Sequence, residues 1–187
     1  DPADGGVYHK LTTLNFEGAV MPHQAVAQRY LVQKTTAAAL NFAAVMAKAS
    51  RVMAEFDKEQ PGKAALFRQQ AIQAWQWASK NPAIYYQQPA DVSTGAYGDK
   101  ELADEFAWAA AELYLLTGEQ PYLQQFFQLA QPVQTPSWAS VAALGYFSLA
   151  KEANNLTPEQ RQLVFSAITA VADQFAAQHQ ASAYKVA

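Results

Sequence analysis

The chain has 187 residues, 51% hydrophobic and 16% charged, with a formal net charge of -3 and no cysteine. That suits one domain with an ample core, and it excludes a disulfide framework, a thiolate metal site and a cysteine nucleophile. No basic patch points to a nucleic-acid partner, and no apolar run reaches the roughly 18 residues of a membrane span.

Alanine occurs 39 times and glutamine 21 times, while runs of β-branched residues are almost absent. Both common residues favour helix, so the chain reads as all-α. The opening Asp1-Pro2-Ala3-Asp4-Gly5-Gly6 lacks the apolar stretch of a signal peptide, and no initiator Met precedes it. The expectation is an internal piece of a longer protein. Residues 1 to 33 are the least regular stretch and read as a long loop, of the kind that often carries function.

A first helix is predicted from Thr35 or Thr36 to about Asp57. Leu40, Ala43, Ala44 and Ala47 recur at helical steps, and Phe42, Val45 and Met46 widen the apolar surface until the helix must lie between neighbours. Pro61 is expected at the first position of a second helix, which stops before Asn81-Pro82. Residues 81 to 98 form a second irregular segment. Asp99 is the expected N-cap of a third helix through Leu116, with Gly118 as its terminator. A short helix follows from Gln120 to Leu129, and a fifth is predicted from Ser137 to Ala153. Thr157-Pro158-Glu159-Gln160 is a capping-box start for a sixth, running to about Gln180.

Six helices with short turns inside each pair make three antiparallel hairpins side by side, as in a solenoid or an α/α toroid. The longer, aromatic-bearing loops would share one end. A binding site is expected there.

His9, His23 and His179 show no metal-ligand spacing, so no metal is expected. No phosphate loop or nucleophile elbow is present. Tyr8-His9-Lys10 reads either as a solvated turn or as a hydrogen-bonding cluster. Asp99, Asp104 and Glu105 read as acids that compensate a helix dipole. Tyr8, Phe16, Tyr85, Tyr86, Tyr97 and Trp138 populate the irregular segments. Rings beside carboxylates and amides suit sugar recognition, and equally they plug loops onto a core.

Several stretches together resemble glycoside hydrolase family 9, the endoglucanase and cellulase family. They are Asp4-Gly5-Gly6-Val7-Tyr8-His9-Lys10-Leu11-Thr12-Thr13 with Met21-Pro22, and the run from Thr35 to Ala47. They continue with Tyr97-Gly98-Asp99, the run Asp104-Glu105-Phe106-Ala107-Trp108 on to Tyr114, Thr117-Gly118, and Ser137-Trp138. Their order over residues 4 to 150 carries the likeness.

The resemblance implies an (α/α)6 barrel, with residues 1–187 as its central portion, about half of its twelve helices. It implies an inverting endo-β-1,4-glucanase acting on β-linked glucan or a related oligosaccharide. The family's Asp base and Glu acid match nothing here, so no catalytic residue is assigned and the isolated chain is expected to be inactive. His9, Asp104, Trp138 and Tyr97 are carried over as substrate contacts. Ala139 and Ser140 stand where the family has acidic or amide residues. No cofactor is expected. Calcium accompanies some members, but no oxygen-ligand loop is evident in this segment. A half barrel would leave apolar helix faces bare, so self-association is expected. The alternatives are an exo-acting β-glucosidase or glucosaminidase of the same family, and a non-catalytic helical-repeat interaction module.

Overall fold

The computed structural model describes residues 1–129 and 131–185; Ala130, Val186 and Ala187 lie outside the described residues. Six helices carry the fold: α1 (Thr36–Met53), α2 (Lys63–Lys80), α3 (Ala103–Thr117), α4 (Gln120–Gln128), α5 (Ala142–Lys151) and α6 (Pro158–Ala181). Contacts run α1 to α2, α1 to α3, α3 to α4, α3 to α5 and α5 to α6. The helices therefore form three hairpins, with α1, α3 and α5 as a central layer. None of these helices is long and apolar enough to cross a membrane.

The central layer is built from small residues. Ala39, Ala43, Ala44 and Ala47 on α1 and Ala109, Ala110 and Ala111 on α3 are fully buried. Short side chains let the helix axes approach closely. Gly145 on α5 shows how closely: a Cβ there would lie 3.3 Å from both Ala111 Cβ and Trp108 Cα.

One polar group crosses this layer. Glu112 on α3 is completely buried. Its Oε2 accepts from Arg51 Nη2 of α1 at 2.7 Å, and its Oε1 accepts from Ser148 Oγ of α5 at 2.5 Å and Trp108 Nε1 at 3.2 Å. Arg51 also donates to the Glu112 carbonyl at 3.0 Å and pairs with Glu152 at 3.2 Å. These partners sit toward the C-terminal ends of all three helices. At the opposite end Asp104 of α3 bonds the backbone at the start of α5. The three central helices therefore run in the same direction, and their N-termini gather at one end.

Helix starts differ from the sequence expectation in three places, each for a local reason. The second helix begins at Lys63, not Pro61, because Gly62 adopts a left-handed conformation (φ 77°) held by Asp57 Oδ1. The third begins at Ala103: the Asp99 carboxylate accepts from Glu101 N at 2.9 Å in a turn of its own and caps no helix. The fifth begins at Ala142, since residues 137–140 close into a tight turn through Ser137 N to Ser140 O (2.9 Å). The sixth has the expected capping box, Thr157 with Gln160.

The segment before α1 is also more ordered than a loop. Leu11–Thr12 (β1) pairs antiparallel with Tyr30–Leu31 (β2), and a bridge joins Tyr8 to Lys34. His9 N donates to Gln33 O at 2.8 Å within this ribbon. The ribbon carries Tyr8-His9-Lys10 to the end where the central helices begin.

Glu112→Ala takes the acceptor from Ser148 and Trp108, leaves Arg51 only Glu152 and a backbone carbonyl, and should cost about 2–4 kcal/mol of stability. Urea unfolding followed by circular dichroism measures it. A loss below about 1 kcal/mol would show that the network is dispensable.

Candidate functional site

The N-terminal end of the central layer collects the ribbon, residues 81–102 and the turn 137–140. His9 is the hinge between the first two. Its Nε2 lies 2.9 Å from the Ala96 carbonyl and its Nδ1 lies 3.2 Å from Thr35 Oγ1. A carbonyl only accepts, so Nε2 carries the proton and Nδ1 accepts from the threonine hydroxyl. Thr35 Oγ1 meanwhile caps α1 by accepting from Ala38 N at 3.3 Å. The imidazole stacks on Tyr86, centroids 4.0 Å apart at 10°. Burial, reinforced by the charge of Lys10, holds the His9 pKa below its usual value, which agrees with the neutral tautomer.

Lys10 reaches the same loop. Its Nζ donates to Gly95 O at 2.5 Å and Thr94 Oγ1 at 3.1 Å, and sits 5.5 Å from the Tyr86 ring centre. Desolvation lowers its pKa. Gln88 Nε2 donates to the carbonyls of Val92 (2.6 Å) and Thr94 (2.8 Å), so the loop is tied from both sides.

Beyond Ala96 stands Tyr97, 59% exposed, with a left-handed backbone at φ 53°. Its ring folds back over Gly95, where a Cβ would lie 2.7 Å from two ring carbons. Only glycine at position 95 leaves that space. The same ring meets Trp138 edge to face, centroids 6.3 Å apart at 88°. Trp138 is 67% exposed at the tip of the 137–140 turn. Two adjacent rings thus face solvent without a cover. A groove of about 530 Å³ borders Tyr97 and is lined also by Lys10, Thr12, Phe16, Arg29 and Thr94.

Asp104 lies beneath this surface, not on it. It is 8% exposed, and its Oδ2 accepts from Val141 N at 2.7 Å. A carboxylate of α3 thereby caps α5 and anchors the turn that carries Trp138. Glu105 is 1% exposed, and its pKa is pushed up to about 9 by burial first and by the carboxylates of Asp104 and Asp99 next. It holds a proton at neutral pH. Asp99 Oδ2, Asp104 Oδ1 and Glu105 Oε2 are buried without a hydrogen-bond partner. Among the described residues, no group of three or more acidic or histidine side chains has the geometry to hold a metal ion. Asp104 borders a cleft of about 230 Å³ together with Gln131, Gln134 and Ser140, whereas Glu105 is buried.

The four residues singled out from sequence therefore meet in one neighbourhood. His9 holds Ala96, Tyr97 follows it, Trp138 contacts Tyr97, and Asp104 supports the Trp138 turn. Sequence reasoning placed Tyr86 among the loop rings and Lys10 in a hydrogen-bonding cluster with His9, but it missed Gln88, Thr94 and Gly95 and the bonds that Lys10 makes to the last two.

Comparison with known proteins adds to this geometry. The family model described as glycosyl hydrolase family 9 matches residues 2–186. The chain is 43% identical over 175 residues to the xyloglucan-specific endo-β-1,4-glucanase BoGH9A of Bacteroides ovatus, covering 89% of this chain and 30% of that protein. It superposes on a solved Bacteroides ovatus GH9 structure with a TM-score of 0.90 at 40% identity, covering all of this chain and 36% of that one. A thermostable endoglucanase from Alicyclobacillus acidocaldarius gives 0.87 at 29% identity, covering 100% and 35%. The chain spans between 14% and 30% of the curated relatives it matches.

Glu105 gives the site a pH signature. Its folded pKa is raised, so the folded state keeps a proton that the unfolded chain releases above about 4.5. Stability is then highest below that value and falls as pH rises toward 9. Thermal melts from pH 5 to 9 with a chelator present should show this fall in the native chain, and Glu105→Gln should flatten it by several degrees at the alkaline end. Parallel curves would mean that Glu105 is ionised in the fold.

Proposed function

The chain belongs to glycosyl hydrolase family 9, its hairpins being part of that family's (α/α)6 barrel, and on this premise we propose that it forms part of the substrate-binding end of an inverting endo-β-1,4-glucanase. The observation that carries this reading is the pair of exposed rings, Tyr97 and Trp138, set edge to face at the end where the central helices begin. A pyranose presents a face of C–H bonds that packs on such a ring while its hydroxyls stay in water or meet nearby amides and carbonyls. The relatives' names support the substrate class: a xyloglucan-specific endo-β-1,4-glucanase, endoglucanase C of Cellulomonas fimi and a cellodextrinase of Butyrivibrio fibrisolvens.

In this reading Trp138 and Tyr97 are the platforms, and His9 offers its unstacked ring face beside them. Asp104 serves the site from below by fixing the Trp138 turn. Inverting hydrolysis needs two carboxyl groups on opposite sides of the scissile bond, with room for water. The buried pair Asp104 and Glu105 does not meet that need. The base and acid are therefore assigned to regions of the family domain that this chain does not match, and the 187 residues to binding.

We also propose that the isolated chain pairs with itself. Along the α1–α2 edge, Phe42 and Leu66 border a cavity of about 640 Å³. At the other edge, Leu163, Phe165 and Phe175 stand exposed on α6. Two copies placed edge to opposite edge would cover both and close a ring of six hairpins.

Two measurements check these readings. Calorimetric titration of cellohexaose into the chain should show binding without release of reducing ends, weakened about tenfold by Trp138→Ala, a loss of the size stacking on one ring provides. Turnover by the wild type would sink the assignment of the catalytic pair, and unchanged binding by the variant would sink the platform. Sedimentation velocity should show a concentration-dependent dimer; a monomer at every concentration would contradict the edge pairing.

A further inference from the structure

Lys10 has no part in the reading above, yet all three of its N–H donors have partners in one short stretch of chain: Gly95 O at 2.5 Å, Thr94 Oγ1 at 3.1 Å and Gln88 Oε1 at 3.4 Å. The next carbonyl, Ala96 O, belongs to His9. Successive residues of the ribbon thus hold successive carbonyls of the loop, across more than eighty positions of sequence. Immediately after these two carbonyls the backbone turns left-handed at Tyr97 (φ 53°). A non-glycine residue is strained in that conformation and keeps it only where the surroundings over-determine it. Thr12 adds a further tie, its hydroxyl 2.7 Å from that of Thr94.

We propose that Lys10 is a positioning residue for glucan recognition, clamping Thr94 and Gly95 so that the Tyr97 ring stands against Trp138 as a sugar platform. The proposal rests on the reading that these rings bind glucan. It distinguishes Lys10 from a direct sugar ligand. Its donors are already engaged, so its effect must pass through Tyr97.

The test has one arm that needs no sugar and one that does. In the first, the chain is labelled with 5-fluorotryptophan, and the Trp138 signal among the four tryptophans is assigned with Trp138→Phe. Lys10→Met keeps the stem and removes the donors. It should move and sharpen the Trp138 fluorine resonance while those of Trp75, Trp77 and Trp108 stay in place. Gly95→Ala displaces the same ring by a different route, with Lys10 intact, and should move the same resonance. If Lys10→Met fails to fold, all four resonances collapse together, and Lys10→Arg, which keeps the charge but not a single nitrogen on both Gly95 O and Thr94 Oγ1, should move the Trp138 resonance instead. A Trp138 signal that ignores Lys10→Met, whether or not it moves with Gly95→Ala, overturns the proposal.

In the second arm, cellohexaose affinity is measured for Lys10→Met, Tyr97→Ala and the double variant. Lys10→Met should weaken binding about five- to tenfold alone and by less than about twofold in the Tyr97→Ala background, since residues that act through one another are non-additive. Additive losses would make Lys10 a direct contact and overturn the proposal. If the wild type does not bind cellohexaose, the glucan reading fails, and the fluorine arm alone decides whether Lys10 positions the ring.

Discussion

A fully buried carboxylate set in a layer of alanines fixes how the three central helices lie against one another. Alanine faces slide easily: they offer close approach but few knobs to set a register. Glu112 supplies the register by holding Arg51 of α1 and Ser148 of α5 at once. Such a group is costly unless every lone pair finds a donor, and here Trp108 fills the remaining position. Its value lies in specificity more than in raw stability, since displacing α1 would break its ion pair with Arg51 and displacing α5 would remove its serine donor.

The opposite end of the layer follows from that registration. With the helices aligned, Asp104 at the start of α3 comes within 2.7 Å of the backbone N–H of Val141, the residue before α5. The turn before α5 is thereby fixed, and with it Trp138. The ribbon and the 94–97 loop are then fastened to the N-terminus of α1 through Thr35, His9 and Ala96. The exposed rings thus sit on a base tied to the helices by hydrogen bonds and by the stack of His9 on Tyr86.

The helices were legible from sequence because their signals are local: periodic alanines, Thr157 with Gln160, Gly118 after the third helix. The helix starts at Pro61, Asp99 and Ser137 were misread for a shared reason. Each carries a residue that favours a helix start, and each is taken by a tighter turn that a local pattern cannot reveal. The site was legible as a set of residue types through its family resemblance, but its wiring was not. Nothing in the sequence ties Lys10 to Gly95 or Asp104 to Val141, because those bonds join positions dozens of residues apart. Asp104 shows why: its motif marks it as a candidate ligand, and only the fold reveals that one of its oxygens accepts from Val141 N.

The alanine layer also shapes the thermodynamics of melting. Alanine has no side-chain rotamers to surrender, whereas leucine or methionine in the same places would each lose about 0.5–2 kcal/mol on burial. Alanine is also the strongest helix former, so part of the backbone order is present before the hairpins dock. The entropy released when this layer comes apart is therefore small for its length. Because the transition temperature is the ratio of unfolding enthalpy to unfolding entropy, the modest contact enthalpy of small side chains is set against an entropy that is modest as well.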